Sequence, residues 1–119
     1  MTPRDYLTTR LALAEGATSG TWKRFTHEPG IVFASPTGNY IVANTNTQTA
    51  EPGEAERNAA FIADARTSNP VMAAALIAVL DKHVRLATLS ITDSVCGECH
   101  RPYPCPTVRA ITDALGADK

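Results

Sequence analysis

Residues 96–105 have the sequence Cys-Gly-Glu-Cys-His-Arg-Pro-Tyr-Pro-Cys and contain all three cysteines of the chain. The Cys-x-x-Cys spacing, with Gly97 inside it, is typical of a knuckle that directs two sulfurs toward one point. Cys105 directly precedes Pro106-Thr107, so we expect it at a helix N-terminus, where the helix dipole stabilises a thiolate. Because zinc prefers four sulfur or nitrogen ligands in a tetrahedron, the segment predicts a Zn²⁺ site and supplies three of its ligands, Cys96, Cys99 and Cys105.

The fourth ligand is sought among the three histidines, His83, His100 and His27. His83 lies on the apolar stripe of a predicted helix, which directs it inward, and it completes the pattern His-x12-Cys-x2-Cys-x5-Cys. His100 directly follows Cys99, a position that usually aims a side chain away from the metal. We therefore favour His83, keep His100 as the alternative ligand, and leave water or another group open.

Other roles for these cysteines fit the sequence less well. A redox pair of the thioredoxin type begins a helix after a strand, and the chain has no βαβ pattern. A disulfide is disfavoured in a cytosolic protein. His83 alone would be interpreted as a core histidine, but three cysteines at metal-binding spacing favour ligation.

The predicted zinc is structural. Three sulfurs and one nitrogen complete the coordination sphere, whereas a catalytic zinc keeps an open position. The signatures of zinc deaminases, zinc proteases, serine hydrolases, phosphate loops and dinucleotide-binding proteins are all missing. We therefore expect no enzymatic activity. Loss of the metal should loosen residues 87–105 first and affect the N-terminal helix less, since that helix is distant in sequence.

The first half of the chain predicts one helix and a small antiparallel sheet. Residues 2–15 are expected to be helical, with Thr2 as N-cap, Pro3 in the first turn and Leu7 on the apolar face. Strands are predicted at 22–26, 31–34 and 40–43, and the last two form a hairpin with a longer loop. Residues 45–53 are polar and are predicted to be a loop.

The second half predicts three helices. One begins near Glu54 and ends before Asn69-Pro70, and the next begins at Pro70. The latter carries an apolar stripe at helical spacing: Met72, Leu76, Val79, His83 and Leu86. The last runs from about residue 106 to 115 and is ended by Gly116. The expected fold class is α+β, as one domain over residues 1–119, with the zinc knuckle between the last two helices.

Length and composition exclude several classes of protein. With 119 residues, of which 44% are hydrophobic and 19% charged, the chain can form a core and is not a disordered tail. Its longest apolar run, residues 71–80, is too short to span a bilayer. Charged residues interrupt the first fifteen positions, so no secretory signal is recognised and a cytoplasmic location is expected. The formal net charge of −1 excludes a strongly basic surface overall.

Residues 58–115 resemble a family of small proteins of actinobacteria and their phages. The matching segments are 60–66 (Ala-Phe-Ile-Ala-Asp-Ala-Arg), Cys96-Gly-Glu-Cys99 with a histidine ahead of it, and 103–109 (Tyr-Pro-Cys-Pro-Thr-Val-Arg). The front half, with Gly20-Thr21-Trp22 before a hairpin, resembles the Ead-like phage proteins. The resemblance implies that His83 is a ligand and that the gene is an accessory gene of a phage or prophage. It implies no established activity.

The favoured function is that of a non-enzymatic accessory protein that binds a host protein or a component of host defence. The surfaces expected for binding are the hairpin tip at 36–40 and the polar loop at 45–53. Nucleic-acid binding is the alternative, through basic residues expected near the zinc: Lys82, Arg85, Arg101 and Arg109. A further alternative is a protein that sequesters a signalling nucleotide, if a homo-oligomer brings together Arg57, Arg66 and Arg109. Alanine-rich helices at 59–65 and 73–80 would allow such close packing.

Overall fold

A computed structural model describes residues 1–25, 27–28, 30–35, 40–46, 51–87 and 94–116, with the backbone alone at positions 40 and 87. These ranges contain three helices and five strands: α1 (Pro3–Gly16), β1 (Thr21–Arg24), β2 (Ile31–Ser35), β3 (Tyr40–Asn44), α2 (Glu54–Lys82), β4 (Arg85–Ala87), β5 (Ser94–Cys96) and α3 (Pro106–Leu115). The predicted α+β class is confirmed. No helix in these ranges is both long enough and apolar enough to cross a membrane.

The chain divides into two compact units. Unit 1 consists of Met1–Leu11 together with Met72–Lys119, and unit 2 consists of Ala12–Val71. The boundaries therefore fall inside α1 and inside α2. The single domain expected over residues 1–119 stays a prediction, because it concerns cooperative folding rather than compactness.

Unit 2 contains an antiparallel sheet in the order β1-β2-β3, as expected from the strand-rich sequence. The central strand β2 supplies the buried apolar side chains Ile31, Val32 and Ala34. A bulge between Val32 and Phe33 interrupts its register with β3. The predicted hairpin tip at 36–40 lies outside the described residues, apart from the backbone of Tyr40.

A tight turn at Gly30 leads into β2. Gly30 has φ +89°, and a Cβ there would lie 2.6 Å from Oδ1 of Asn46. The N–H of Thr45 donates to the Gly30 carbonyl at 2.7 Å, and the Thr45 hydroxyl lies 2.7 Å from the carbonyl of Ala55. The start of the predicted polar loop is therefore fixed by hydrogen bonds, while residues 47–50 lie outside the described ranges.

The predicted N-terminal cap of α1 is present. The Asp5 N–H donates to the Thr2 hydroxyl at 3.0 Å, and the Thr2 N–H donates to the Asp5 carboxylate at 3.2 Å. This reciprocal pair is a capping box with Asp in place of Glu. The hydrogen bonds from Thr2 hold the pKa of Asp5 below its usual value.

The prediction of two helices separated at Asn69-Pro70 is wrong, because α2 runs without a break through Pro70. A proline inside a helix removes one hydrogen bond and costs about 3 kcal/mol. The surrounding sequence is alanine-rich and strongly helix-forming, and the turns after Pro70 place Ala73 and Leu80 in a buried core. Packing and propensity thus outweigh the local penalty, and the described residues contain three helices rather than four.

The apolar stripe predicted for this region is buried only in part, since Leu76 packs against the core whereas Leu86 lies in β4 and is exposed. The buried positions of α2 in unit 1 are Ala73 and Leu80, and Leu76 and Ile77 pack against them. By contrast, Met72 is 55% exposed and Val79 is 38% exposed. Both sets have helical spacing, so the sequence pattern alone does not decide which face is buried.

Unit 1 buries one apolar cluster, which consists of Leu7, Ala73, Leu80, Val108, Cys96 and Cys105. Leu7 belongs to α1, so the first turns of the N-terminal helix share a core with two of the cysteines. Whether loss of the metal affects this helix less than residues 87–105, as the sequence suggests, stays a prediction. Distance along the sequence does not predict which residues share this core, because the chain returns to α1 after α2.

The region between α2 and α3 contains a short hairpin that the sequence did not predict. β4 and β5 pair antiparallel, with Arg85 opposite Cys96 and Ala87 opposite Ser94. The residues between them, 88–93, lie outside the described ranges. α3 begins and ends as predicted, and Gly116 stops it in the left-handed conformation with φ +66°.

Candidate metal centre

Four potential ligands come from three different elements of unit 1. His83 directly follows the last residue of α2, and its N–H donates to the Val79 carbonyl at 3.2 Å. Cys96 is the last residue of β5, and Cys99 lies in the turn that follows. Cys105 is the N-cap residue of α3, where the sequence predicted it. The chain thus brings a helix end, a knuckle and a helix start to one place.

The knuckle is a tight hydrogen-bonded turn. The His100 N–H donates to the Cys96 carbonyl at 3.0 Å, and the Cys96 N–H donates to the Arg101 carbonyl at 2.8 Å. The Gly97 N–H donates to the Val84 carbonyl at 2.8 Å. Because Val84 follows His83, this last bond fixes the knuckle against the histidine.

The four side chains converge on one point. Nδ1 of His83 and the sulfurs of Cys96, Cys99 and Cys105 all lie within 4.8 Å of one another. Nδ1 is 3.3 Å from the Cys96 sulfur and 3.5 Å from the Cys105 sulfur. Tetrahedral zinc with ordinary bond lengths requires about 3.6 Å between nitrogen and sulfur and about 3.8 Å between two sulfurs. The two nitrogen–sulfur distances are close to the tetrahedral value, so the cluster could hold a metal ion such as zinc, and none of the three cysteines forms a disulfide.

The Cys96 sulfur lies in a site that stabilises a thiolate. Burial opposes ionisation of this thiol, but the backbone N–H groups of Cys99 and Glu98 donate to the sulfur and outweigh burial. The pKa of Cys96 falls to about 6 as a result. Backbone N–H groups directed at a cysteine sulfur are the electrostatic arrangement that a metal-bound thiolate requires.

The Cys99 sulfur shows why this cluster favours a cation. The Arg101 N–H favours the Cys99 thiolate, but burial and the sulfurs of Cys96 and Cys105 oppose it, and the pKa of Cys99 is raised. Several negative sulfurs held this close repel one another. A divalent cation at their centre removes that repulsion.

Exposure differs among the four residues. Cys96 and Cys105 are fully buried, His83 is half-buried and Cys99 is exposed. Cys99 is therefore the candidate ligand most accessible to solvent. The two buried cysteines are at the same time members of the unit 1 core, so the site and the core form together.

The other two histidines lie outside the cluster. His100 is exposed, with a left-handed backbone at φ +59°, and is not among the converging residues. His27 belongs to unit 2 and packs edge-on against Phe25, with ring centroids 5.9 Å apart. The structure therefore brings together the favoured set with His83, and whether that set holds the metal stays a prediction.

The basic residues predicted near the metal are all in unit 1 and all exposed: Lys82, Arg85, Arg101 and Arg109. Two of them, Arg85 and Arg109, line a cavity that His83 also lines. In unit 2, Arg66 places its guanidinium 5.6 Å from the ring centre of Trp22. That stacking gives Arg66 a structural role apart from the phosphate contact predicted for it.

Backbone groups in this region were missed by the sequence prediction. The Val84 carbonyl holds the knuckle in place, and the Arg101 N–H donates to the Cys99 sulfur. The only sequence signal for a strand here was the alternation of apolar and polar residues at 84–86. Three residues are too few to distinguish a strand from the end of a helix.

No family model matches this chain, and neither a curated protein nor a solved structure gives a significant match. The resemblance to actinobacterial and phage proteins therefore stays an expectation. The feature of this chain that bears on function is the His/Cys cluster.

Proposed function

We propose that this chain is a non-enzymatic binding protein in which a structural Zn²⁺, held by His83, Cys96, Cys99 and Cys105, fixes the fold of unit 1. The observation that carries the proposal is the convergence of four soft ligand atoms within 4.8 Å. Three sulfurs and one nitrogen complete a tetrahedral sphere and leave no position for substrate or water. When bound, the ion cross-links the three elements of unit 1 that carry its ligands.

Cobalt substitution tests the coordination directly. Co²⁺ in a tetrahedral site with three sulfurs gives intense visible absorption bands, whereas Co²⁺ in water does not. We expect one equivalent of Co²⁺ to bind with these bands and to be displaced by Zn²⁺. Cys99→Ser should weaken the sulfur bands, while His27→Ala, a matched change in unit 2, should leave the spectrum unchanged. A protein that binds less than one equivalent, or binds it without sulfur bands, would contradict the proposed site.

The binding partner that we propose is a host protein, with the chain acting as an accessory protein of a phage or prophage. The sequence resemblance supports this setting. The surface that supports a protein partner is the outer face of α2 in unit 1, where Met72 and Val79 lie two helical turns apart and are exposed. Exposed large apolar side chains on one helix face are typical of protein contacts.

The partner proposal is tested with variants of that helix face. A tagged, zinc-loaded chain should capture a defined host protein, and the double change Met72→Glu with Val79→Glu should abolish the capture. Ala114→Glu adds a charge to an exposed position of α3 and should not affect it. If both charged variants capture the same protein as the parent chain, the α2 face is not the binding surface.

Nucleic-acid binding is the second candidate, because four basic side chains of unit 1 are exposed. Contacts to phosphate groups give an affinity that falls steeply with salt concentration. A gel-shift titration with duplex DNA and single-stranded RNA at low salt tests this alternative. Absence of any shift removes it, and a shift abolished by moderate salt would favour it over the protein partner.

A further inference from the structure

A cavity of about 590 Å³ lies within unit 1, next to the cysteine cluster. Its walls come from the first turn of α1, the end of α2, β4 and α3. The apolar part of the wall includes Leu80, Val84 and Tyr103. A volume of this size and an apolar wall are typical of sites for small organic molecules.

Among the residues that the structure describes, the charged side chains of the wall are all cationic. These are Arg4, Arg85 and Arg109, and no described aspartate or glutamate lines the cavity. Arg4 is already paired with Asp81, which lies outside the lining. Within the described ranges, neither Arg85 nor Arg109 forms an ion pair, so both guanidinium groups remain available to an anion. Guanidinium groups bind carboxylate, phosphate and sulfonate oxygens through paired N–H donors.

His83 links the cavity to the cluster. Its Nδ1 faces the sulfurs of Cys96 and Cys105, so Nε2 lies on the opposite edge of the ring. Nε2 forms no hydrogen bond with the residues that the structure describes. When a metal binds Nδ1, the proton of a neutral imidazole resides on Nε2, and such histidines normally donate it to an acceptor. An anion in the cavity would supply the acceptor that the protein does not.

We propose that this cavity binds a small organic anion, with an apolar or aromatic body against Leu80, Val84 and Tyr103 and an acidic group held by Arg85 and Arg109. The contribution of His83 Nε2 rests on the proposed zinc site. The contacts proposed for the two arginines and the apolar wall involve no ligand of the metal.

The test compares two dyes of nearly the same shape. 8-Anilinonaphthalene-1-sulfonate is an aromatic anion, and N-phenyl-1-naphthylamine is the same body without the sulfonate. Both are titrated by fluorescence against the zinc-loaded chain. We expect saturable one-site binding of the sulfonate, and weakening by about tenfold or more in the double variant Arg85→Gln with Arg109→Gln. The affinity for the neutral amine should change by less than about twofold in the same variant, because it makes no ionic contact.

Lys82→Gln is the matched control, because Lys82 is exposed at the end of α2 and does not line the cavity. It should bind both dyes as the parent chain does. Absence of saturable sulfonate binding, equal losses for both dyes in the double variant, or equal weakening by Lys82→Gln would each overturn the proposal. Elemental analysis of every sample separates the two hypotheses: arginine-dependent binding in a chain without zinc would refute the metal site and support the cavity.

Discussion

Replacing His83 by Ala should lower the zinc affinity by roughly a hundred- to thousandfold. Structural zinc sites bind with about 10–16 kcal/mol, so one of four ligands contributes about 2.5–4 kcal/mol on average, which corresponds to that change in Kd. Nδ1 of His83 lies 3.3 Å and 3.5 Å from two of the sulfurs. His100 is exposed, has a left-handed backbone conformation and is not among the four converging residues.

Competition with a chromophoric chelator measures this affinity, and elemental analysis measures the metal content. His100→Asn is the matched control, because asparagine tolerates a left-handed backbone and removes the other imidazole near the knuckle. The control should retain one zinc per chain. If His100→Asn loses the metal while His83→Ala keeps it, His83 is not the ligand and the reasoning from the cluster is refuted.

Removal of the metal should have a regional effect that hydrogen exchange can resolve. Cys96 and Cys105 share a core with Leu7, Leu80 and Val108, so a chelator should reduce amide protection in Met1–Leu11 and in the described residues from 72 to 116. The strands β1 and β2 belong to unit 2 and should keep their protection. Equal exchange before and after chelation would show that the ion has no structural role.

Four further substitutions test local features of the fold. Thr2→Ala should destabilise the protein by about 1 kcal/mol in urea unfolding, because it removes the cap of α1. Asp5→Asn should also destabilise the protein at neutral pH. Since the folded-state pKa of Asp5 is lowered, the difference in stability between Asp5→Asn and the parent chain should disappear as the pH falls through that pKa. Pro70→Ala should stabilise the protein by about 1–2 kcal/mol in the same assay. The change removes a helix-interior penalty of about 3 kcal/mol, but the unfolded chain gains conformational freedom, which offsets part of it. A loss of stability would show that Pro70 has a packing role. Gly30→Ala should destabilise unit 2 by about 1–3 kcal/mol, because of its positive φ and the crowding by Asn46, and an unchanged midpoint would contradict that geometry.

Local chemistry accounts for the parts of the fold that the sequence predicted correctly. The Thr2 cap, the three strands of unit 2 and the start and stop of α3 each depend on residues within one element. The cluster was predictable for the same reason, since three of its four ligands lie within ten residues. His83 could be added because its predicted place on an apolar stripe directed it inward, although that stripe is buried only in part.

The errors arose where distant contacts decide the outcome. Pro70 is a reasonable helix boundary by local rules, and only the burial of Ala73 and Leu80 shows why α2 continues through it. Both faces of α2 carry apolar residues, and packing in the core determines that the face with Ala73, rather than the face with Met72, is buried. The pairing of β4 with β5 was missed because strands of three residues are too short to be recognised by alternation of apolar and polar residues.

The division of unit 1 between the two ends of the chain affects the order of folding during synthesis. Unit 2 is continuous in sequence, so its strands can pair as soon as they leave the ribosome. Leu7 emerges early but must wait for Leu80, Cys96 and Cys105, with all of Ala12–Val71 between them as a loop to be closed. Unit 1 can therefore form only when the chain is nearly complete, after Cys105 and the apolar residues of α3 have been synthesised.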